Sequence, residues 1–247
     1  MHAMKEAAKS AKELRGEGLA LFFKRNGKHL TAFLYDGNAV MKAFLKEYHL
    51  ELKDFEVPGR TLSKAAKKEI AGEVWGSLLY SSHTSSQKVG RAMISGEWNS
   101  SCKAFEVKFA AAKNKYGPFM YDMAASTFGW IVSDRSSTSS AAKRIWGWMH
   151  SHPEAYNTRQ VADFTDLDDD IGPAKPCAPD VWAKPSKKQI PLFFAYSPKT
   201  KKQARTKAVA NNHKKVVAAL RQYGISKNYI DEYFDTAGEE LFQSLYG

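Results

Sequence analysis

The sequence has little of what would assign it to a special class. Its 247 residues include only two cysteines, Cys102 and Cys177. That number and spacing support neither a disulfide framework nor a zinc knuckle, and they suit a reducing, cytoplasmic setting. No apolar run approaches the roughly 20 residues that cross a bilayer; the longest, such as residues 19–23, are strand-sized. Residues 2–15 alternate Lys and Glu with Ala and lack the continuous apolar segment of a signal peptide, so export is not expected. Neither a P-loop lysine motif nor a G-x-G-x-x-G stretch occurs, which removes local support for an ATP or dinucleotide site. The aspartates at 166, 168, 169 and 170 lack the Gly and terminal Glu of a calcium loop. His150 and His152 would need a third ligand such as Asp163 or Cys177 to hold a metal, and capping a helix that Pro153 ends explains them better. No metal site is expected.

Acidic residues are also missing from one long stretch. Residues 184–227 carry twelve basic and no acidic side chains, whereas 1–183 carry 25 basic and 21 acidic, and 228–247 carry five acidic and no basic. Nearly all of the formal net charge of +11 is therefore traceable to that stretch. A localised basic stripe is the electrostatic footprint of a site for phosphate-rich partners. The opposing reading is that the acidic run just upstream, from Asp163 to Asp180, packs beside the stripe and neutralises it.

What is present is enough for a core: hydrophobic residues make up 43% of the chain and aromatics 13%, which excludes a wholly disordered protein. Residues 19–23 and 29–35 flank Arg25-Asn26-Gly27-Lys28, a strong hairpin signal. Val40, Ala43, Phe44 and Tyr48 have helical spacing over 39–49, and a second helix is expected over 61–80 with Ser63 as N-cap. Residues 89–98 are ambiguous, while 104–110 alternate as a strand. Pro118 fits the first turn of a helix over 119–127, Gly129 ends it, and Trp130-Ile131-Val132 reads as a short buried strand. Ser139 or Ser140 caps the next helix, which runs to Met149. Residues 190–196 read as a strand and 203–222 as a helix, with Ala204, Ala208, Val209, Val216, Val217 and Leu220 inward and Arg205, Lys207, Lys214, Lys215 and Arg221 outward. Thr236 and Glu239 form a capping box before a last helical region.

The order strand, basic Gly-containing loop, helix, strand, polar loop, helix over residues 104–149 contains Tyr116-Gly117-Pro118-Phe119-Met120-Tyr121-Asp122-Met123-Ala124, then Ser133-Asp134-Arg135, then Ser139, Ala142 and Trp146. With Leu192-Phe193-Phe194-Ala195-Tyr196, this pattern resembles the GNAT (N-acetyltransferase) superfamily, and more closely a group of phage-encoded acetyltransferase-like proteins. The resemblance covers some 50 to 90 residues of the chain. It implies a GNAT-like α/β fold with a mixed, mostly antiparallel sheet and flanking helices. Residues 1–183 would form that core, with 184–247 as a basic strand-and-helix extension packed on it. It further implies acetyl-CoA or another acyl-CoA as cofactor, its pyrophosphate bound by the loop of Lys113, Asn114, Lys115, Tyr116 and Gly117. A typical loop of the family has Gln or Arg and then two glycines one residue apart; here those positions are Ala112, Lys115 and Gly117, so lysine replaces one glycine.

Direct acyl transfer to an amine acceptor needs a base for the amine proton and an acid for the leaving thiolate. Asp134, Tyr121 and Glu106 are the candidates, and each has a plainer reading: Asp134 as a turn cap or partner of Arg135, Tyr121 as a packing residue, Glu106 as the exposed side of an alternating strand. The alternative of a different class is a non-enzymatic nucleic-acid-binding or virion-associated phage protein on the same fold. Its phosphate contacts would be Lys199, Lys201, Lys202, Arg205, Lys207, Lys214 and Lys215. The setting would be the cytoplasm of an infected bacterium, or the virion, with no membrane partner.

Overall fold

Gly27, whose φ of 58° needs no β-carbon penalty, and Lys28 turn the chain between β1 (Leu19–Asn26) and β2 (His29–Asp36). The computed structural model describes residues 18–55, 61–78, 86–113, 116–133, 138–161, 194–200 and 203–246. Asp36 ends β2 and starts α1 (Gly37–Asp54): one carboxylate oxygen accepts from Ala39 N at 2.9 Å, and the other from Arg91 Nη2 at 3.0 Å. Helix α1 buries Val40, Phe44 and Tyr48, one residue per turn. Ser63 Oγ accepts from Ala66 N at 3.1 Å at the start of α2 (Lys64–Leu78), as its N-cap position requires. After the short α3 (Ser86–Val89) come β3 (Gly90–Asn99) and β4 (Ala104–Ala112). Helix α4 (Gly117–Phe128) stops at Gly129, whose N–H reaches Ala125 O. Strand β5 (Ile131–Ser133) and helix α5 (Ser140–His150) follow, and Ser139 is the N-cap of that helix. The chain continues with β6 (Tyr156–Gln160), β7 (Phe194–Pro198), α6 (Gln203–Gln222) and α7 (Lys227–Tyr246).

The strands form one seven-stranded sheet in the order β1-β2-β3-β4-β5-β7-β6. β4 and β5 run parallel, with Phe105, Glu106 and Val107 opposite Ile131, Val132 and Ser133, and α4 is the crossover between them. β5 with β7 and β7 with β6 are antiparallel, as the short connections require of β1 with β2 and β3 with β4. The architecture is thus mixed α/β with a mostly antiparallel sheet, flanking helices and C-terminal helices, consistent with a GNAT-like fold.

Two compact units divide the chain. One has its described residues in Arg25–Thr31 and Ile94–Ala204, the other in Lys9–Lys24, Ala32–Met93 and Arg205–Gly247. The second is built on aromatic packing: Tyr35 stacks on Phe234 at 4.3 Å, Trp75 meets Tyr233 at 4.5 Å, and Tyr223 sits edge-on to Phe44 and Tyr48. In the first unit Phe105 stacks on Phe128 of α4 at 4.3 Å, and Trp146 of α5 lies between Tyr121 and Tyr196. On the other face of β4 and β5 a small cluster of Cys102, Ala104, Val132, Val161 and Ala195 packs with Trp130, over which the Arg159 guanidinium lies at 4.9 Å.

Several expectations change. Residues 90–99, ambiguous as sequence, are a strand, and β6 was not foreseen. Thr236 and Glu239 lie within the continuous helix α7 and cap nothing; the true N-terminal cap is Ser226, whose Oγ accepts from Tyr229 N. Cys102 is disulfide-bonded, so the cysteine count carries no inference about compartment. A disulfide depends on Cα atoms approaching within about 7 Å, which separation along the chain does not reveal. Cys177, the expected helix over 2–15 and the acidic run 163–180 lie outside the described residues. Among the described residues no helix is long and apolar enough to cross a membrane.

Gly96 on β3 leaves no room for a side chain, because a β-carbon there would stand 2.1 Å from the Glu106 carbonyl oxygen and 2.8 Å from Phe105 Cζ. We expect Gly96→Ala to destabilise the protein by about 1–3 kcal/mol through forced backbone movement. Gly72 within α2 has nothing within 4 Å of such a carbon, and Gly72→Ala should stabilise by about 0.5–1 kcal/mol. Urea unfolding of both variants checks the opposite signs.

Candidate functional site

On β4 the alternation that exposes every second residue of a half-covered strand fails, because both faces are covered: Phe105 lies under α4, and Glu106 is 7% exposed beside Ala104. This corrects the expectation of a solvent-facing Glu106. Its carboxylate accepts from Lys108 Nζ at 2.8 Å on one oxygen and from Asn99 Nδ2 at 2.8 Å on the other. Asn99 Oδ1 in turn accepts from Cys102 N, bracing the β3–β4 connection. Lys108 Nζ stands 3.7 Å from Glu97 Oε1, and His29 Nε2 stands 3.7 Å from Glu97 Oε2. The result is a chain of ionisable groups on one face of β2, β3 and β4, graded from Glu106, through Lys108 and Glu97 at about one-third exposure, to His29 at 70%. Glu97, Asn99, Lys108 and His29 were missed as site residues. Their signal in the sequence is the i, i+2 spacing of Glu97 with Asn99 and Glu106 with Lys108, readable only once the strands are paired.

Downstream, β4 runs to Ala112 and the chain re-enters helix at Gly117. Of the predicted phosphate loop, Lys113, Tyr116 and Gly117 border this turn, while Asn114 and Lys115 lie outside the described residues. Tyr116 occupies the N-cap position with an αR backbone and no side-chain cap, and Pro118 fills the first turn. The first-turn N–H groups of α4, at Gly117 and Phe119, thus form the positive end of the helix dipole without a side-chain cap from Tyr116. Gly117 sits against its neighbours: an added β-carbon would lie 3.3 Å from Ile145 Cδ1 and 3.5 Å from Ala112 Cβ.

Tyr121, predicted as a general acid, is buried, with its ring edge-on to Trp146 at 5.2 Å and 87°. Helical periodicity places it on the inward face with Met120 and Ala124. Asp134 lies outside the described residues. His150 Nδ1 is 3.1 Å from the Tyr196 hydroxyl, whose own acidity burial suppresses strongly, and His152 Nδ1 accompanies Trp148 O at 2.7 Å. Among the described residues no group of three or more His, Cys, Asp or Glu side chains is arranged to hold a metal.

The basic stretch divides. Lys199 is exposed after β7, with its backbone N–H on Ala155 O; Lys201 and Lys202 lie outside the described residues, as does the side chain of Arg205. Lys207, Lys214 and Lys215 are exposed on α6. On the inner side of that helix His213 is enclosed by Phe22, Tyr35 and Phe234, and its Nδ1 is 2.8 Å from the Tyr35 hydroxyl. Burial pushes its pKa down to about 4, with Asp231 opposing and Lys227 reinforcing the shift.

No family model, curated protein or solved structure matches the chain.

The His213 environment sets a pH dependence. An unfolded chain binds its imidazolium proton below pH about 6.5, whereas the folded protein does so only near 4. Stability is therefore complete above the unfolded value and is lost as pH falls through this window, by up to about 3 kcal/mol. Chemical unfolding measured at pH 7, 5.5 and 4 should show the loss, and His213→Gln should remove most of the difference.

Proposed function

We propose that the chain is an acyltransferase-like protein that moves an acyl group from acyl-CoA to an amine acceptor, with β4 and its turn into α4 as the working part. One observation carries this reading: a single strand leads from a buried, doubly hydrogen-bonded carboxylate, Glu106, to a helix N-terminus with no side-chain cap, at Gly117. The first-turn N–H groups of α4 and its dipole suit the pyrophosphate of acyl-CoA, and Gly117 and Lys113 are the described residues that border that position. From Glu106 to Ala112 the strand rises about 20 Å, a distance comparable to an extended phosphopantetheine arm.

Acyl-CoA, when bound, supplies an activated thioester carbonyl. The chain's own part is positional and acid–base. As the amine forms its C–N bond and the C–S bond breaks, the Glu106 carboxylate takes the amine proton, and the thiolate leaves to be protonated by solvent. Lys108 holds the Glu106 carboxylate at 2.8 Å and lies 3.7 Å from Glu97, which places a charged network beside the base.

Thermal-shift and calorimetric titration with CoA test the reading. A ligand that binds only the folded state stabilises it by about 2.7 kcal/mol at a concentration about 100 times Kd, and millimolar CoA should raise the melting temperature by several degrees. In an acyl-transfer assay with polyamine or lysine acceptors, Glu106→Gln should lower kcat by about 10²–10⁴ and leave the CoA titration unchanged. No stabilisation at millimolar CoA overturns the reading.

A further inference from the structure

We propose that the outer face of α6 is a docking surface for the phosphate backbone of duplex nucleic acid, independently of any acyl transfer. Helix α6 has two unlike faces. Its inner side is pinned: Val209 and Leu220 are fully buried, Val216 nearly so, and Asn212 Nδ2 donates to Leu19 O at 2.8 Å. The side chains left exposed are Lys207, Asn211, Lys214, Lys215, Ala218, Arg221 and Gln222; steps of three or four residues connect them, with two adjacent pairs, so that they form one stripe along the axis. From Lys207 to Arg221 the stripe is about 21 Å long, which spans about six phosphates of one strand.

Three further observations bear on the partner. Among the described residues none of the four cations has a side-chain ion pair or hydrogen bond, whereas Lys24, Lys108 and Lys227 in the same chain are each matched with a carboxylate. Among the described residues, therefore, no carboxylate neutralises the stripe. Second, the next cation is placed to extend it: Gly224, with φ 88°, has no side chain where the stem of Lys68 passes, and an added β-carbon would stand 2.4 Å from Lys68 Cγ. Lys68, itself exposed, thus lies beside the end of α6. Third, the stripe carries no exposed apolar or aromatic side chain larger than Ala218. An interfacial membrane helix inserts an apolar face, and here that face is used up in the core. Single-strand binding draws on aromatic stacking platforms, but Tyr223 is packed edge-on against Phe44 and Tyr48, and Tyr196 is buried. What remains is a row of cations and side-chain amides, which matches a regular phosphate backbone.

The experiment is fluorescence anisotropy of the full chain with a labelled mixed-sequence DNA duplex, its single strand, and vesicles containing phosphatidylserine, between about 50 and 200 mM salt. Four phosphate contacts predict a slope of log K against log salt near −3.6, hence an affinity loss of about a hundredfold across that range. The variant Lys207→Gln/Lys214→Gln/Lys215→Gln/Arg221→Gln should lose that slope, and the matching variant with Lys207, Lys214 and Lys215 changed to Arg should keep it. Because any basic protein binds DNA weakly, a control removes as many exposed charges elsewhere: Lys28, Lys42, Lys53 and Lys143 to Gln. Circular dichroism melting confirms that each variant is folded. Duplex binding that falls with the α6 variant and survives in the control supports the proposal. Equal loss in both variants, no binding at the lowest salt, stronger binding to the single strand, or α6-dependent binding only to vesicles overturns it.

Discussion

A carboxylate taken out of water needs donors, and the first unit is organised around meeting that need at Glu106. The effective penalty for burying an ion is several kcal/mol, and hydrogen bonds from Lys108 and Asn99 offset it. Asn99 donates through Nδ2 to the carboxylate while its Oδ1 accepts from Cys102 N, so one side chain joins the β3–β4 connection to Glu106. Phe105, one residue earlier and on the opposite face, ties the same strand to α4 through Phe128. β4 is consequently fixed from both sides, and it delivers the chain to the α4 N-terminus in a defined place. The close approach of Gly96 to the Glu106 carbonyl has the same origin: two strands drawn together leave no room for a side chain between them.

The second unit is organised differently, by aromatic packing with few charges inside. Tyr35, Trp75, Tyr233 and Phe234 form its centre, and His213 is included as a neutral ring bonded to Tyr35. Helix α6 belongs to this core by one face only, which is why its basic residues form a coherent outer stripe and do not scatter. Asp36 performs the linking role here: as N-cap of α1 and partner of Arg91 on β3, it joins the end of the hairpin to the strand that follows the helices.

Much of this was legible along the chain. The Asn26-Gly27 turn, the Ser63 and Ser139 caps, the stop at Gly129 and the full extent of α6 are local signals whose physics acts within a few residues, and each appears where expected. Of the candidate site, Glu106 and Gly117 could be named in advance, but not the environment of Glu106. Strand β6 escaped notice because Tyr156-Asn157-Thr158-Arg159-Gln160 is polar, and it is held by pairing with β7, whose partner residues lie some forty positions away. Thr236 and Glu239 have the spacing of a capping box, yet packing of Tyr233, Phe234 and Leu241 into the core carries the helix straight through them.

By itself the sequence determined the local elements, the two-faced pattern of α6 and the placing of nearly all net charge in one stretch, because periodicity, capping and charge are short-range properties. Tertiary structure alone decided that Glu106 is buried and bridged, that Tyr121 packs against Trp146, that Cys102 is bonded, and that the cations of α6 find no carboxylate among the described residues. Each of these depends on which distant segments come within a few ångströms of one another, and no residue's neighbours along the chain encode that distance.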